Sequence, residues 1–194
     1  AGHRAFATNW LAAGVLDTAV VRSGEYWRTV TALTLHFDVA HLLSNLGFGA
    51  FFGWLASQLL GPGVAFGGAV AAATLANAIN VSVQPASHVS GGVSQLVIPL
   101  LAAYAWRRRA DSGERRAYRW SPLIAGVFLL GFTGVGGENT DVLAHLTGFI
   151  TGAATGWWLG RLSRIPRPRV QWLVGLGALA GIAGAWWAAL LPGA

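Results

Sequence analysis

The fold is decided by residues 39–106, which read VAHLLSNLGFGAFFGWLASQLLGPGVAFGGAVAAATLANAINVSVQPASHVSGGVSQLVIPLLAAYAW and contain no Asp, Glu, Lys or Arg. A helix needs about 20 apolar residues to cross a hydrocarbon core of about 30 Å, so this stretch is long enough for three membrane-spanning helices. Gly61-Pro62-Gly63 marks a turn after the first helix, and the polar run from Ser82 to Ser90 separates the second from the third. We therefore predict spans at roughly 36–59, 63–83 and 91–106.

Three further apolar stretches follow, near 121–135, 141–160 and 171–191. The sequence thus predicts an all-α fold, a polytopic transmembrane helix bundle with about six spans. The composition agrees, because 54% of the residues are hydrophobic and 10% are charged, whereas a soluble domain carries about 25% charged residues. A disordered chain is excluded on the same grounds. The absence of cysteine from the sequence excludes a disulfide framework, a thiolate metal site and a cysteine nucleophile.

The net charge of +6 comes from arginine, since the chain contains no lysine. Ten of the arginines fall in two loops, 107–119 and 161–169, which are separated by two predicted spans. Because positive loops stay in the cytoplasm, both loops are expected on that side, with the acidic loop 136–141 facing outward. The position of the arginines therefore indicates membrane topology, and no nucleic-acid partner is expected.

The first 35 residues mix apolar and charged residues too closely for a clean span. We interpret 1–35 as an outer-face or interfacial segment, 36–160 as the membrane core, and 161–194 as a basic cytoplasmic loop with an additional C-terminal span. The start of the sequence lacks the basic, apolar and small-residue pattern of a signal peptide. We expect that an earlier span precedes residue 1.

Four polar residues from three predicted spans share one depth. Counted from the cytoplasmic ends at about 1.5 Å per residue, Ser94 lies at about 20 Å, Asn45 at about 22 Å, His145 at about 24 Å and His41 at about 28 Å. Polar groups inside a span are costly and usually functional. These four predict a shared cavity that water can reach from the outside.

The side chains of a serine, a histidine and an asparagine provide the chemical groups that acyl transfer needs. The serine is a weak nucleophile that needs a base, a neutral histidine can take its proton and return it to the leaving amine, and amide or imidazole N–H groups can stabilise the oxyanion. The sequence shows no rival pair of buried carboxylates and no ligand spacing typical of a metal site. We expect neither a cofactor nor a metal.

Three motifs in the sequence resemble those of a known protein family. They are Tyr26-Trp27-Arg28 with the run His36-Phe37-Asp38-Val39-Ala40-His41-Leu42-Leu43-Ser44-Asn45, then Gly92-Val93-Ser94, and then Ala144-His145-Leu146-Thr147-Gly148 with Gly152. Together they resemble the rhomboid intramembrane serine proteases over about residues 24–160. The match concerns a Trp-Arg pair in the first outer loop, a His/His/Asn span, a Gly-x-Ser nucleophile motif and an Ala-His-x-x-Gly base motif.

The resemblance implies a role for each of these residues. Ser94 would be the nucleophile and His145 the base, in a dyad without an essential acid. His41 and Asn45 would form the oxyanion hole with the backbone N–H of Ser94. Trp27 and Arg28 would belong to the outer loop that braces the fold, and the last span would be the extra helix that some members carry after the six-helix core.

The resemblance also implies the setting of the reaction. The protein would lie in the lipid bilayer of a bacterial inner (plasma) membrane, with the arginine loops cytoplasmic and the active site opening outward. Its partner would be a single-span membrane protein, cut near the outer end of its span.

Several alternatives stay open. Ser90 is the alternative nucleophile: it has Gly91 after it, lies one helical turn before Ser94, and has His88 where the motif requires Gly. Gln95, Ile98 and Pro99 depart from the family pattern, which favours a second function, that of a catalytically inactive relative that binds transmembrane helices without cutting.

Other residues have plainer interpretations. His41 and Asn45 could hold helices together, Trp27 and Arg28 could be interfacial anchors, and Asn77 and Asn80 are expected to be packing groups. A small transporter is a weaker alternative, because the internal repeat typical of that class is not visible.

Overall fold

The computed structural model of the chain describes residues 4–5, 8–36, 39–90, 104–105, 108, 112–113, 120–121, 124, 127, 142–162 and 164–191, and the architecture is given for these residues. Ser94 lies outside them, as do Gln95, Ile98 and Pro99. Most residues of the predicted spans 91–106 and 121–135 also lie outside.

The N-terminal part of the chain forms short elements that are too short to cross a membrane. They are β1 (Arg4–Ala5), β2 (Thr8–Asn9), α1 (Trp10–Gly14), β3 (Leu16–Asp17), α2 (Thr18–Arg22), α3 (Arg28–Thr31) and a 3₁₀ turn at Ala32–Thr34. Asn9 and Asp17 cap α1 and α2, since their side chains accept hydrogen bonds from backbone N–H groups that have no intrahelical partner.

Long helices make up the rest of the described chain. They are α4 (Val39–Leu60), α5 (Pro62–Val83), α6 (Val142–Leu159) and α7 (Pro168–Leu190), with the short strand β4 (Val89–Ser90) after α5. They coincide within a few residues with the predicted spans 36–59, 63–83, 141–160 and 171–191. Pro62 and Pro168 stand in the first turn of their helices, where the missing N–H costs nothing.

Two of the described helices, Pro62–Val83 and Pro168–Leu190, are long and apolar enough to cross a membrane. The helical membrane bundle expected from the sequence is confirmed at this level, and the number of six spans stays a prediction. The fold is not purely helical, however. β1 pairs with β2 and β3 pairs with β4 in two antiparallel ladders of two residues each, which the sequence did not indicate.

One end of the bundle is a tight turn between α4 and α5, which we call the turn end. Gly61 has a φ of 81°, a left-handed conformation that a residue with a Cβ rarely adopts. The buried residues beside this turn come from both helices, from the last residue of α6 and from Tyr104: Ala56, Leu60, Val64, Ala65, Tyr104 and Leu159. The end of α6 therefore lies beside the turn, as does the start of α7.

The opposite end of the bundle carries the N-terminal elements. Asn77, near the end of α5, donates to the carbonyl of Thr29 at 2.8 Å. Asn80, one turn nearer that end, accepts from the hydroxyl of Thr147 near the start of α6 at 3.0 Å. Both asparagines are buried packing groups, as the sequence predicted. The chain therefore alternates in direction, so that α4 and α6 begin at this end and α5 and α7 finish there.

The last helix, α7, lies along the outside of α5 and is attached at both ends. At the turn end, the Gln171 amide donates to the carbonyl of Leu60 at 2.8 Å and accepts from the N–H of Val64 at 2.9 Å. These are two of the backbone groups that helix termini leave without partners. A Cβ at Gly63 would collide with the backbone carbonyl of Gln171, so the two helices touch backbone to backbone.

At its other end, α7 packs on the N-terminal elements. The indole N–H of Trp186 donates to the hydroxyl of Thr34 at 3.0 Å. The rings of Trp186 and Trp10 meet edge to face, with centroids 5.2 Å apart. A Cβ at Gly14 would lie 2.6 Å from the Trp186 ring, so glycine is needed for this approach.

The outward faces of the helices are strongly apolar. Large side chains that are more than half exposed occur on each long helix, among them Trp54, Trp158, Trp172, Leu173 and Trp187. Exposed apolar surface of this extent is rare on soluble monomers and marks a membrane or partner interface. In α7 no residue is buried, so almost the whole helix surface away from α5 is available to lipid.

Candidate active site

The candidate base, His145, lies on the first turn of α6. The helix begins at Val142, so His145 stands about 5 Å from its end along the axis. The buried side of α6 is built from small residues, including Thr147, Gly148, Thr151 and Gly152. His145 itself is half-buried. Small residues permit close helix packing in membranes, and here they place the start of α6 against α5.

The candidate oxyanion residue Asn45 lies near the start of α4, six residues after Val39 and thus about 9 Å into the helix. Both polar atoms of its side chain, Nδ2 and Oδ1, are buried, and neither has a hydrogen-bond partner within the described part of the chain. An unsatisfied buried polar group costs about 1–3 kcal/mol. His41 occupies the position one turn before Asn45 on the same helix.

The structure therefore brings His41, Asn45 and His145 to the same end of the bundle, from two helices that start there. The Asn80–Thr147 hydrogen bond fixes α6 to α5 at this depth, two residues after His145. Ser94 and Asp141 lie outside the described residues, so the distance from Ser94 to His145 is not part of this geometry.

The alternative nucleophile, Ser90, is held in extended backbone. It forms part of β4 and pairs with Leu16, while Val89 pairs with Asp17. Ser90 itself therefore lies in a strand and not in a helix. The spacing of one helical turn between Ser90 and Ser94 involves residues outside the described part of the chain and stays a prediction. The ladder also ties Ser90 to the N-terminal elements.

Trp27 and Arg28 lie at the start of α3, within the N-terminal elements. Arg28 is buried; its Nε donates to the Glu25 carboxylate at 2.7 Å, and its Nη1 donates to the carbonyls of Ala12 and Val15 at 2.9 and 3.0 Å. A charged side chain with this many partners holds α1, β3 and α3 together. The geometry supports the bracing interpretation for Arg28 over that of an interfacial anchor.

Two contacts of this end were missed by the sequence analysis. One is the β3–β4 pairing, which joins residues more than 70 positions apart and has no periodic signal in segments of two residues. The other is Arg22, which the sequence marked only as one charge in a mixed segment. Its guanidinium binds the carbonyls at the end of α5.

A cavity of about 460 Å³ lies between the N-terminal elements and the end of α7, lined by Asn9, Ala12, Ala13, Glu25, Arg28, Ala189 and Leu190. Among the described candidate side chains, neither Asn45 nor His145 lines it. Within the described ranges, no group of three or more His, Asp or Glu side chains is placed to hold a metal ion.

The long apolar helices indicate an integral membrane protein, and the candidate residues His41, Asn45 and His145 lie toward one end of the described helices. The family model of the Rhomboid domain matches residues 23–162, and the chain belongs to the rhomboid family. The match includes every candidate catalytic residue and ends before α7.

A curated relative is the Rhomboid-like protease 2 of Toxoplasma gondii, which is 28% identical over 154 residues. The aligned region covers 75% of this chain and 52% of the relative, so the chain spans about half the length of that protein. No solved structure matches the chain.

Proposed function

We propose that the chain is an intramembrane serine endopeptidase that cuts transmembrane substrates with a dyad of Ser94 and His145. The observation that carries the proposal is the side chain of Asn45, whose two polar atoms are buried and lack a partner within the described residues. An asparagine that only held helices together would have a partner on a neighbouring helix, as Asn77 and Asn80 do.

A donor that is buried without a partner suits a charge that exists only during the reaction. In acyl transfer, negative charge develops on the carbonyl oxygen of the substrate, and donors fixed in advance stabilise it without reorganisation. Asn45 lies at the end of the bundle where α6 presents His145. The cost of burying its amide without a partner among the described residues is then recovered in the transition state.

The reaction follows from these roles. His145 takes the proton from the Ser94 hydroxyl as its oxygen attacks the scissile carbonyl, and Asn45, His41 and the Ser94 N–H donate to the oxyanion. The C–N bond then breaks and His145 gives the proton to the leaving amine. Water, activated by His145, hydrolyses the acyl ester and restores Ser94. The site must therefore be open to water.

The topology supports an outward-facing site. The turn end lies at the arginine loop 161–169, and positive loops remain in the cytoplasm, so the opposite end with His145 faces outward. The substrate is a membrane protein with a single span that unwinds near its outer end, because an extended strand must reach the serine. The membrane is a bacterial inner (plasma) membrane.

The test is labelling with a fluorophosphonate, which reacts readily only with an activated serine, combined with cleavage of a transmembrane substrate by the membrane-embedded chain. We expect Ser94→Ala and His145→Ala each to abolish labelling and cleavage, with the double variant no worse, because the two groups act as a unit. Ser90→Ala should keep most of the activity. An inactive Ser90→Ala together with an active Ser94→Ala would assign the nucleophile to Ser90.

The second candidate function is binding of transmembrane helices without cutting. It is favoured by Gln95, which stands where the family motif has Gly, and by Ile98 and Pro99 in the same predicted span. A wild-type chain that takes no label and cuts no substrate, yet retains a transmembrane peptide in the bilayer, would establish this function instead.

A further inference from the structure

The loop between α5 and the residues leading to Ser94 is held at both ends by one short segment, residues 16–22, which we call the clamp segment. The loop begins where α5 ends at Val83 and finishes at β4. The clamp segment comprises β3 and α2. It lies before the part of the chain that the Rhomboid domain matches, so its contacts do not follow from family membership.

Arg22 binds the start of the loop. Its Nε and Nη2 donate to the carbonyl of Val81 at 3.0 and 2.6 Å, and Nη2 also donates to the carbonyl of Gln84 at 2.9 Å. The last carbonyls of a helix lack intrahelical partners, and a cation at this end is favoured by the helix dipole. The planar fork of arginine makes two bonds to one oxygen, which an ammonium group cannot reproduce in that geometry.

The other end of the clamp segment binds the end of the loop. Leu16 and Asp17 pair with Ser90 and Val89 in the β3–β4 ladder. Immediately after β3, the backbone N–H of Thr18 donates to the carbonyl of His88 at 3.1 Å. Leu16 and Thr18 are both 0% exposed, so this attachment is part of the core.

The clamp segment is itself rigid over its short length. Asp17 caps α2 by accepting from the N–H groups of Ala19 and Val20 at 3.0 and 3.2 Å. Val21 is buried in a cluster that also contains Leu16 and Val81. The distance between the two ends of the loop is therefore set by a capped helical turn and not by the loop itself.

From these contacts we propose, resting on the proposed function, that Arg22 is a positioning residue for the nucleophile Ser94. Ser94 follows Ser90 by four residues, which span at most about 14 Å even when fully extended. Arg22 therefore fixes a loop whose last described residue is only four positions from the nucleophile in sequence. Displacing a reacting group by about 1 Å can cost about 100-fold in rate.

The test compares Arg22→Gln and Arg22→Lys with Thr31→Val as the matched control, all in the membrane-embedded full chain. Thr31 lies in the same N-terminal part, is buried, and its hydroxyl donates to the carbonyl of Gly14 at 2.7 Å and not to the loop. Thr31→Val therefore removes a buried hydrogen bond without touching the loop. The measurements are kcat and KM on a transmembrane substrate, the rate of fluorophosphonate labelling, the unfolding midpoint, and hydrogen exchange of residues 84–90.

We expect Arg22→Gln to lower kcat and the labelling rate together by roughly tenfold, with KM within about twofold, and to speed exchange in 84–90. Arg22→Lys should recover part of the rate, because it keeps the charge but loses the fork. Thr31→Val should lower the unfolding midpoint while leaving kcat and exchange of the loop unchanged.

If hydrogen exchange in residues 84–90 were unchanged in Arg22→Gln, Arg22 would not fix the loop. If exchange were faster but kcat normal, Arg22 would fix the loop without positioning the nucleophile. If Arg22→Gln and Thr31→Val changed kcat equally, the effect would be one of stability alone. A wild-type chain without label would refute the proposed function and the positioning of a nucleophile with it, whereas the exchange data would still decide whether Arg22 fixes the loop.

Discussion

The hydroxyl of Thr147 donates to Oδ1 of Asn80 at 3.0 Å in a fully buried contact between α6 and α5. Thr147 stands two residues after His145, so this bond fixes the part of α6 that carries the candidate base. The same hydroxyl also contacts the carbonyl of Ala144 within its own helix at 3.1 Å. Side-chain hydrogen bonds between membrane helices contribute about 0.6–2 kcal/mol, so this bond favours the observed register of the two helices.

This contact predicts a measurable coupling between the two residues. In a double-mutant cycle of Thr147→Val and Asn80→Leu, we expect a coupling free energy of about 0.6–2 kcal/mol for unfolding from detergent or bilayer. Thr151→Val is the control, because among the described residues the hydroxyl of Thr151 bonds within its own helix, to the carbonyls of Thr147 and Gly148. If Asn80 coupled equally to Thr147 and to Thr151, the assignment of a hydrogen bond between Asn80 and Thr147 would be contradicted.

Asn45→Ala should lower activity while leaving stability almost unchanged. Asn45→Ala removes a donor that has no partner in the described part of the resting protein, so the free energy of unfolding should change little. The loss of an oxyanion donor should lower kcat by about 100- to 1,000-fold. The matched variant is Asn77→Ala, which breaks the 2.8 Å bond to Thr29 and should cost stability with kcat retained. Parallel losses of kcat and stability in Asn45→Ala would instead identify it as a packing residue.

The attachment of α7 depends on the absence of a side chain at Gly63. Gly63→Ala should push α7 away from the turn and lower the unfolding midpoint, because the added Cβ meets the backbone of Gln171. Gln171→Leu should destabilise by about 1–3 kcal/mol for the loss of its two bonds to Leu60 and Val64. Gly177→Ala, on the same helix with open space around it, should be neutral or slightly stabilising. A neutral Gly63→Ala would mean that α7 does not seat on this turn.

The orientation in the membrane can be measured with single cysteines, since the chain contains none. Ser112→Cys, between the two halves of the first arginine loop, should be protected from an impermeant thiol reagent in intact cells. Asn139→Cys, in the acidic loop, should be labelled. The reverse pattern would place His145 on the cytoplasmic side and would exclude an outward-opening site.

The long helices were predictable because each has a strong one-dimensional signal. The charge-free run around Gly61-Pro62-Gly63 gave α4 and α5, and the apolar stretches beside the arginine loops gave α6 and α7. The position of His41, Asn45 and His145 toward one end of their helices was predictable, because helix rise converts sequence position into height along the bundle.

The contacts between segments were not predictable in the same way. The β3–β4 ladder depends on two pairs of residues that meet only in the folded chain. The roles of Arg22 and Arg28 depend on which backbone carbonyls are left without partners, and this is decided by where helices end in space. Gln171 stands out in the sequence as a polar side chain inside an apolar span. Its role as a cap for two other helices could be seen only in the structure.

The two attachments of α7 also restrict how the protein can adapt to the thickness of its bilayer. An unattached span adapts to a thinner or thicker membrane by changing its own tilt. Here Gln171 and Trp186, separated by about 22 Å along the helix, are bonded to the turn at one end and to the N-terminal elements at the other. A change in lipid chain length therefore has to tilt α5 and α7 together. Because α7 is bonded to the N-terminal elements, this tilt also displaces those elements, including the clamp segment.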